Sequence, residues 1–161
     1  MAEEGNGRPA PDPGPPPLEA ERWEQRCALG LGAAVFVLYV LSAAPGLYWL
    51  DSGELTAAVY QLGTAHPPGF AVHSLLAKAA TLVPLGSIAF RVVLLSALLA
   101  AVAVAWVFLL GARMARALGA STAVALVSAG AGALLVALGH GFWRQATVAE
   151  VYTLGAVAGT L

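Results

Sequence analysis

Charge is scarce in this chain and cysteine almost absent. Only 11% of the 161 residues are charged, and the mean hydropathy is +0.78, which excludes the surface of an ordinary soluble domain. The single cysteine, Cys27, excludes an internal disulfide framework and says nothing about redox compartment. There is no basic patch with interleaved aromatics, so nothing points to nucleic acid as a partner. Acids are rarest where the chain is apolar: six of the nine precede residue 25, and beyond residue 26 only Asp51, Glu54 and Glu150 remain. The net charge of −1 therefore hides an acidic, Pro-rich tail followed by a slightly basic body. A carboxylate near lipid costs roughly 2.5–3.5 kcal/mol at a helix centre. The few acids kept beside membrane-length apolar runs mark where chemistry is expected.

Those runs predict an all-α, polytopic membrane helical bundle. Residues 1–26 read as a disordered, Pro-rich cytoplasmic tail, with Pro9, Pro11, Pro13 and Pro15 to Pro17 opposing helix and ladder alike. Residues 27–161 form the membrane domain, with helices at about 27–44, 92–112, 117–139 and 151–161 and an external loop at 45–91. Arg22 and Arg26 favour a cytoplasmic N-terminus. The rival is a cleaved signal peptide ending at Ser42-Ala43-Ala44, which the long acidic lead and the 18-residue run oppose.

Inside the loop, Asp51 to Gly63 predicts a short helix with Leu55, Val59 and Leu62 on one face and Gly63 as its stop. Phe70 to Leu85 places Val72, Leu75, Leu76, Ala79 and Val83 on one face and His73, Ser74, Ala77, Lys78 and Thr81 on the other. Its length, Lys78 and Pro84 suit an interfacial, juxtamembrane helix better than a span. Counting basic residues does not separate the two topologies. With the interfacial reading, Asp51, Glu54, His66, His140, Arg144 and Glu150 fall on one side. The chain stops at Leu161, eleven residues into the run that begins at Val151, where a span needs about 20. It is expected to be the N-terminal module of a longer chain.

Each candidate residue has a structural and a functional reading. Asp51 and Glu54 fit a capping box, Asp51 accepting from the Glu54 amide, and a fixed carboxylate also suits a general base. His66-Pro67-Pro68-Gly69 is either a rigid elbow or a histidine presented to a phosphate or acceptor. Lys78 and Arg91 either snorkel or neutralise a lipid-linked phosphate. Trp49, Trp143 and Tyr152 fit an aromatic belt. Glu150 suits dipole compensation at a helix start, with Arg144 as a pairing cation. A metal site from Asp51, His66, His140 and Glu150 is conceivable, but no spacing is diagnostic, and neither metal ligands nor a cofactor is assigned.

Four motifs then carry a resemblance: Asp-Ser-Gly-Glu-Leu at 51–55, Ala-His-Pro-Pro-Gly at 65–69, Gly-Ser-Ile-Ala-Phe-Arg-Val at 86–92 and Ala-Glu-Val-Tyr at 149–152. Their order resembles the GT-C-type membrane glycosyltransferases, the protein O-mannosyltransferase-like and aminoarabinose-transferase-like enzymes. Together they resemble most closely a subfamily, once a domain of unknown function, that includes a eukaryotic transmembrane O-mannosyltransferase. The resemblance implies the N-terminal part of a GT-C fold. It also implies transfer of a mannose-like sugar from a polyprenyl-phosphate donor to a hydroxyl acceptor, protein Ser/Thr or glycan, at the external face. Asp51 matches the family's loop aspartate, which activates the acceptor hydroxyl, and Glu54 is the second catalytic candidate. Ser52 departs from the wider superfamily, where Glu often follows the Asp directly. His66, Arg91, Arg144 and Glu150 are the expected substrate-binding residues. The Ala/Gly/Arg-rich composition suggests a bacterial plasma membrane. The rivals are a transporter or flippase, which would place ionisable groups at the midplane, and an inactive scaffold.

Overall fold

Seven helices are present in the computed structural model, which describes residues 17–48, 51–66 and 70–160. They are α1 (Pro17–Ser42), α2 (Ser52–Gln61), α3 (Ala71–Thr81), α4 (Ile88–Ala117), α5 (Thr122–Leu138), α6 (His140–Thr147) and α7 (Tyr152–Thr160), with no strand among the described residues. Alanine sets their spacing. On α5, Ala125, Ala129, Ala133 and Ala137 recur at every fourth position and all are buried. Ala129, Ala133 and Ala137 pack with Ala97, Ala100, Val104, Phe108 and Ala112 of α4 in one core. A Cβ added at Gly111 would meet the Ala129 methyl at 3.4 Å, and one at Gly32 would meet the Ala105 methyl at 3.3 Å. Small side chains let helix backbones approach closely, the main source of association where lipid removes the hydrophobic drive.

α4 is the mast of the bundle. Its thirty residues span about 45 Å at 1.5 Å per residue, and every other helix contacts it. α1 runs antiparallel to it. At one end Glu24 of α1 meets Arg116 of α4, Oε1 to Nε at 2.6 Å and Oε2 to Nη2 at 3.4 Å. At the other, Ser87, the N-cap of α4, accepts from the Phe90 N–H at 3.1 Å and donates to the Pro45 carbonyl just beyond α1 at 3.2 Å. α5 returns beside α1, where the Tyr39 hydroxyl donates to the Ala137 carbonyl at 2.9 Å. The chain then bends by 63° into α6, and the Ala44 N–H bonds the Thr147 carbonyl at 3.0 Å.

Two helices, Leu18–Ser42 within α1 and α4, are long and apolar enough to cross a membrane, and α5 with α6 makes a third if the bent pair is one span. That is fewer than the four segments expected. α5 alone has 17 residues, because Ser121 caps it at Val124 and Gly139 breaks it. The stretch at His140–Arg144, expected as an emerging loop, is helical.

The expected disorder over 1–26 also needs correcting, since α1 begins at Pro17. Proline lacks only an N–H that a first helical turn leaves unpaired, and Glu19 complements the dipole there. Ala20, Glu24 and Ala28 give this stretch a buried stripe. Residues 1–16 lie outside the described residues, as do Trp49 and Pro67 to Gly69 of the proposed aromatic belt and elbow. α2 ends one residue before its expected glycine: Leu62 takes the left-handed conformation at φ 54°, at a cost of roughly 1–2 kcal/mol.

α3 is short and lies against the bundle, but its faces are reversed from those of a helix resting on water. Val72, Leu75 and Leu76 point outward, while His73, Ser74, Ala77 and Thr81 are buried. Trp143 packs edge-on against Tyr39 at 5.5 Å instead of standing in an interfacial belt.

The Glu24–Arg116 pair has side chains only 2% and 26% exposed. Removing one partner of such a pair leaves a buried charge. Glu24→Leu is therefore expected to cost about 3 kcal/mol, the low end of the usual range because Arg116 keeps some water. The double variant Glu24→Leu/Arg116→Leu should recover most of it. Melting curves in detergent decide: an unchanged Tm for the single variant would exclude the pair as a constraint.

Candidate active site

All the ionisable residues beyond α1 except Arg113, Arg116 and their neighbours gather at the end of the bundle where α1 stops and α4 starts. The reason is topological. α2 and α3 fill the connection between those two antiparallel helices, and α5 brings the chain back to the same end before α6 and α7. Asp51 and Glu54 sit at the entry of α2, Arg144 on α6, and Glu150 in the irregular turn between α6 and α7.

The three acids differ in their surroundings. Asp51 is the N-cap of α2 by position, but its side chain makes no cap hydrogen bond, so the expected capping box is not formed. Its backbone at φ −75°, ψ −7° is already helical, whereas a capping side chain needs an extended residue to reach back. The carboxylate is exposed and free to act. Glu54 is occupied. Its Oε1 accepts from the His66 backbone N–H at 2.7 Å and its Oε2 lies 3.2 Å from His66 Nδ1. Glu54 thereby braces the loop leaving α2, and the ring it holds stacks edge-on against Phe70 at 5.9 Å.

Glu150 is half-buried. Burial first, and then the Asp51 charge, push its carboxyl above the usual carboxylate range, while Arg144 and His66 pull the other way. Asp51, His66 and Arg144 are thus each within electrostatic reach of Glu150. The turn that carries Glu150 is held by Ser96 of α4, whose hydroxyl donates to the Glu150 carbonyl at 3.2 Å and accepts from its N–H at 3.3 Å.

Donor atoms of Asp51, Glu54 and His66 all lie within 4.8 Å of one another, a proximity their sequence spacing did not suggest. Both Glu54 oxygens are engaged by His66, so a cation seated there would have to displace that brace. His140, exposed at the start of α6, does not join this group.

Arg91 is placed elsewhere. Its guanidinium donates to the carbonyls of Thr81 at 2.7 Å, Leu85 at 3.1 Å and Gly86 at 3.1 Å. It fastens the end of α3 to the start of α4. Gly86 belongs to the same corner, with φ +58° and no room for a Cβ, which would meet Phe90 at 2.9 Å. Lys78 is likewise spent, donating to the Tyr60 carbonyl with its ammonium 4.9 Å from the Tyr60 ring centre.

A family model described as the protein O-mannosyl-transferase TMEM260 N-terminal domain matches residues 51–160. The chain belongs to that family. The matched span opens on Asp51 and takes in all four motifs. A relative from Mus musculus, protein O-mannosyl-transferase TMEM260, is 35% identical over 151 residues, covering 89% of this chain and 20% of the relative. The chain spans about a fifth of that relative's length. No solved structure matches it.

Sequence reasoning missed the polar residues beneath the acids. Ser52, His73, Ser96 and Thr153 are all buried, on α2, α3, α4 and α7 respectively. The available signal was the stripe His73, Ser74, Ala77 and Thr81. In an apolar bundle a small and polar stripe faces protein, and the apolar face opposite is left for lipid.

Two predictions follow from these contacts. Arg91→Lys leaves one ammonium where three carbonyls were met and should cost about 1.5–3 kcal/mol, read as a lower Tm; an unchanged Tm would remove Arg91 as the fastener of this corner. Glu150→Gln concerns pH. Folding raises the Glu150 carboxyl, so its ionised form opposes the native state at neutral pH, and the cost vanishes where the group is protonated both folded and unfolded. The variant should melt higher than wild type at neutral pH and alike below about pH 4. A lower Tm at neutral pH would contradict the assigned burial.

Proposed function

We propose that this chain is the N-terminal, acid-bearing part of a GT-C-type protein O-mannosyltransferase, which moves mannose from a polyprenyl-phosphate donor to a Ser or Thr hydroxyl at the external face of a membrane. The observation that carries the reading is the meeting of Asp51, His66, Arg144 and Glu150 at one end of an apolar bundle, in a family whose mouse member is named a protein O-mannosyl-transferase.

The roles follow from the surroundings of each group. Asp51, uncapped and exposed, takes the proton from the acceptor hydroxyl as that oxygen bonds to the anomeric carbon and the sugar–phosphate bond breaks. Arg144 is the cation on the site, suited to the charge growing on the departing phosphate, and His66 adds a ring nitrogen beside it. Glu54 works through His66 and positions it. Glu150, held close to Asp51, keeps a second acid beside the acceptor. Orientation of two bound substrates would supply much of the rate. A transporter would favour charges midway along interrupted helices. Here Asp51 and Glu54 lie at a helix start and Glu150 in a turn, which supports the enzyme.

The test uses the full-length chain in membranes, with polyprenyl-phosphate mannose and a Ser/Thr acceptor peptide. Asp51→Asn should lower kcat by about 10²–10⁴-fold while membrane insertion is unchanged. Glu54→Gln, which keeps one acceptor oxygen for the His66 N–H, should lose less. Transfer by Asp51→Asn at the wild-type rate would remove Asp51 from the mechanism.

A further inference from the structure

Among the described residues, His73 is a buried polar side chain with both of its ring nitrogens unpaired. It is on the inner face of α3 with 1% of the residue exposed. A buried donor and acceptor left unpaired call for an explanation, because a leucine would fill the position without that cost. Burial holds the imidazole below its usual range, and the Glu150 backbone, within reach of the ring, acts the other way by favouring a proton on it.

That backbone matters because residues 148–151 are irregular, and Val148 and Ala149 are buried. Peptide groups in such a turn need partners outside it. Ala44 supplies one at the Thr147 carbonyl and Ser96 supplies another at Glu150. On the side facing α3, His73 is a buried polar side chain that can meet the turn. The ring also has room to move, since it lines a groove of about 600 Å³ between α3 and α7 with Phe70, Val151 and Tyr152. Phe70, one helical turn before His73, carries the edge-on contact to His66. The first turn of α3 therefore touches both halves of the site.

We propose that His73 is a positioning residue, whose ring N–H engages the Glu150 carbonyl and keeps the Glu150 carboxyl facing Asp51. The inference rests on the transferase reading given above for its kinetic consequence, but not for its structural one. The coupling runs from α3 through the turn to the acid, and His73 itself touches neither donor nor acceptor.

The experiment uses the full-length chain in membranes and two readouts. In the first, His73→Leu lowers kcat at least tenfold with KM for polyprenyl-phosphate mannose and for the acceptor peptide unchanged, and either His73→Asn or His73→Gln, each returning an N–H near one of the ring nitrogens, restores most of the rate. In the second, a cysteine pair at Asp51→Cys and Glu150→Cys is cross-linked by a short bis-methanethiosulfonate; His73→Leu slows the reaction and the same amide variant restores it. A control pair at Glu24→Cys and Arg116→Cys, at the far end of the bundle, cross-links equally in all variants if the fold is kept. Wild-type cross-linking and turnover by His73→Leu would overturn the proposal, as would failure of both amide variants with the control pair intact. If the wild-type chain transfers no mannose, the transferase reading falls, and the cross-linking still decides for or against His73.

Discussion

The antiparallel pairing of α1 with α4 decides where every ionisable side chain ends up. It is fixed at one end by Glu24 and Arg116 and at the other by the Ser87 contact to the Pro45 carbonyl. Because both helices are long, the loop between them can only lie at one end of the bundle, and α2 and α3 lie within it. The alanine ridge of α5 then returns the chain alongside α1 to the same end. With that arrangement the acid at position 150, nearly a hundred residues from Asp51, has no other neighbourhood available. The site is thus a consequence of helix length and of side chains small enough to let the helices close on one another.

Within the site, stability and use pull apart. Glu54 is held by two contacts to His66 and contributes to the local fold. Glu150 does the reverse: its burial beside Asp51 disfavours its ionised form. A residue whose ionised form opposes folding at neutral pH, in a turn that Ser96 holds in place by its backbone, suits function better than structure. Asp51 stands between these cases, unengaged and solvated. Three carboxylates within one cluster are thereby given three different tasks by their surroundings alone.

Much of this was legible in the sequence. The scarcity of acids pointed to Asp51, Glu54 and Glu150, and the length and amphipathic pattern of 70–85 marked a short helix packed on the bundle and not a long one along it, which is what puts position 51 and position 150 at a common end. What was not legible follows from physical causes. A capping box is a statement about spacing, and it failed because Asp51 has a helical backbone. The contacts of Arg91 were not legible either, since the two chain ends at the α3–α4 corner present three carbonyls to its guanidinium only once the chain has folded. The proline-rich start was read as disordered, although Ala20, Glu24 and Ala28 supply a buried stripe whose partner lies on a helix some ninety residues later. Such long-range partners leave no local periodicity to read.

The reversed faces of α3 show the same logic at work in the environment. Its apolar side carries exposed Val72, Leu75 and Leu76, and its polar side is packed inward, an arrangement that water would oppose. Next to hydrocarbon it is the favourable one, since the solvent takes the apolar face and protein must satisfy the polar one. The polar stripe lies inward at the level of Ser96 and the Glu150 turn, where it can serve backbone groups that no water reaches. A helix turned this way carries its polar residues toward the site, so that one choice of orientation both seats α3 against lipid and lines the underside of the acids with histidine and hydroxyl groups.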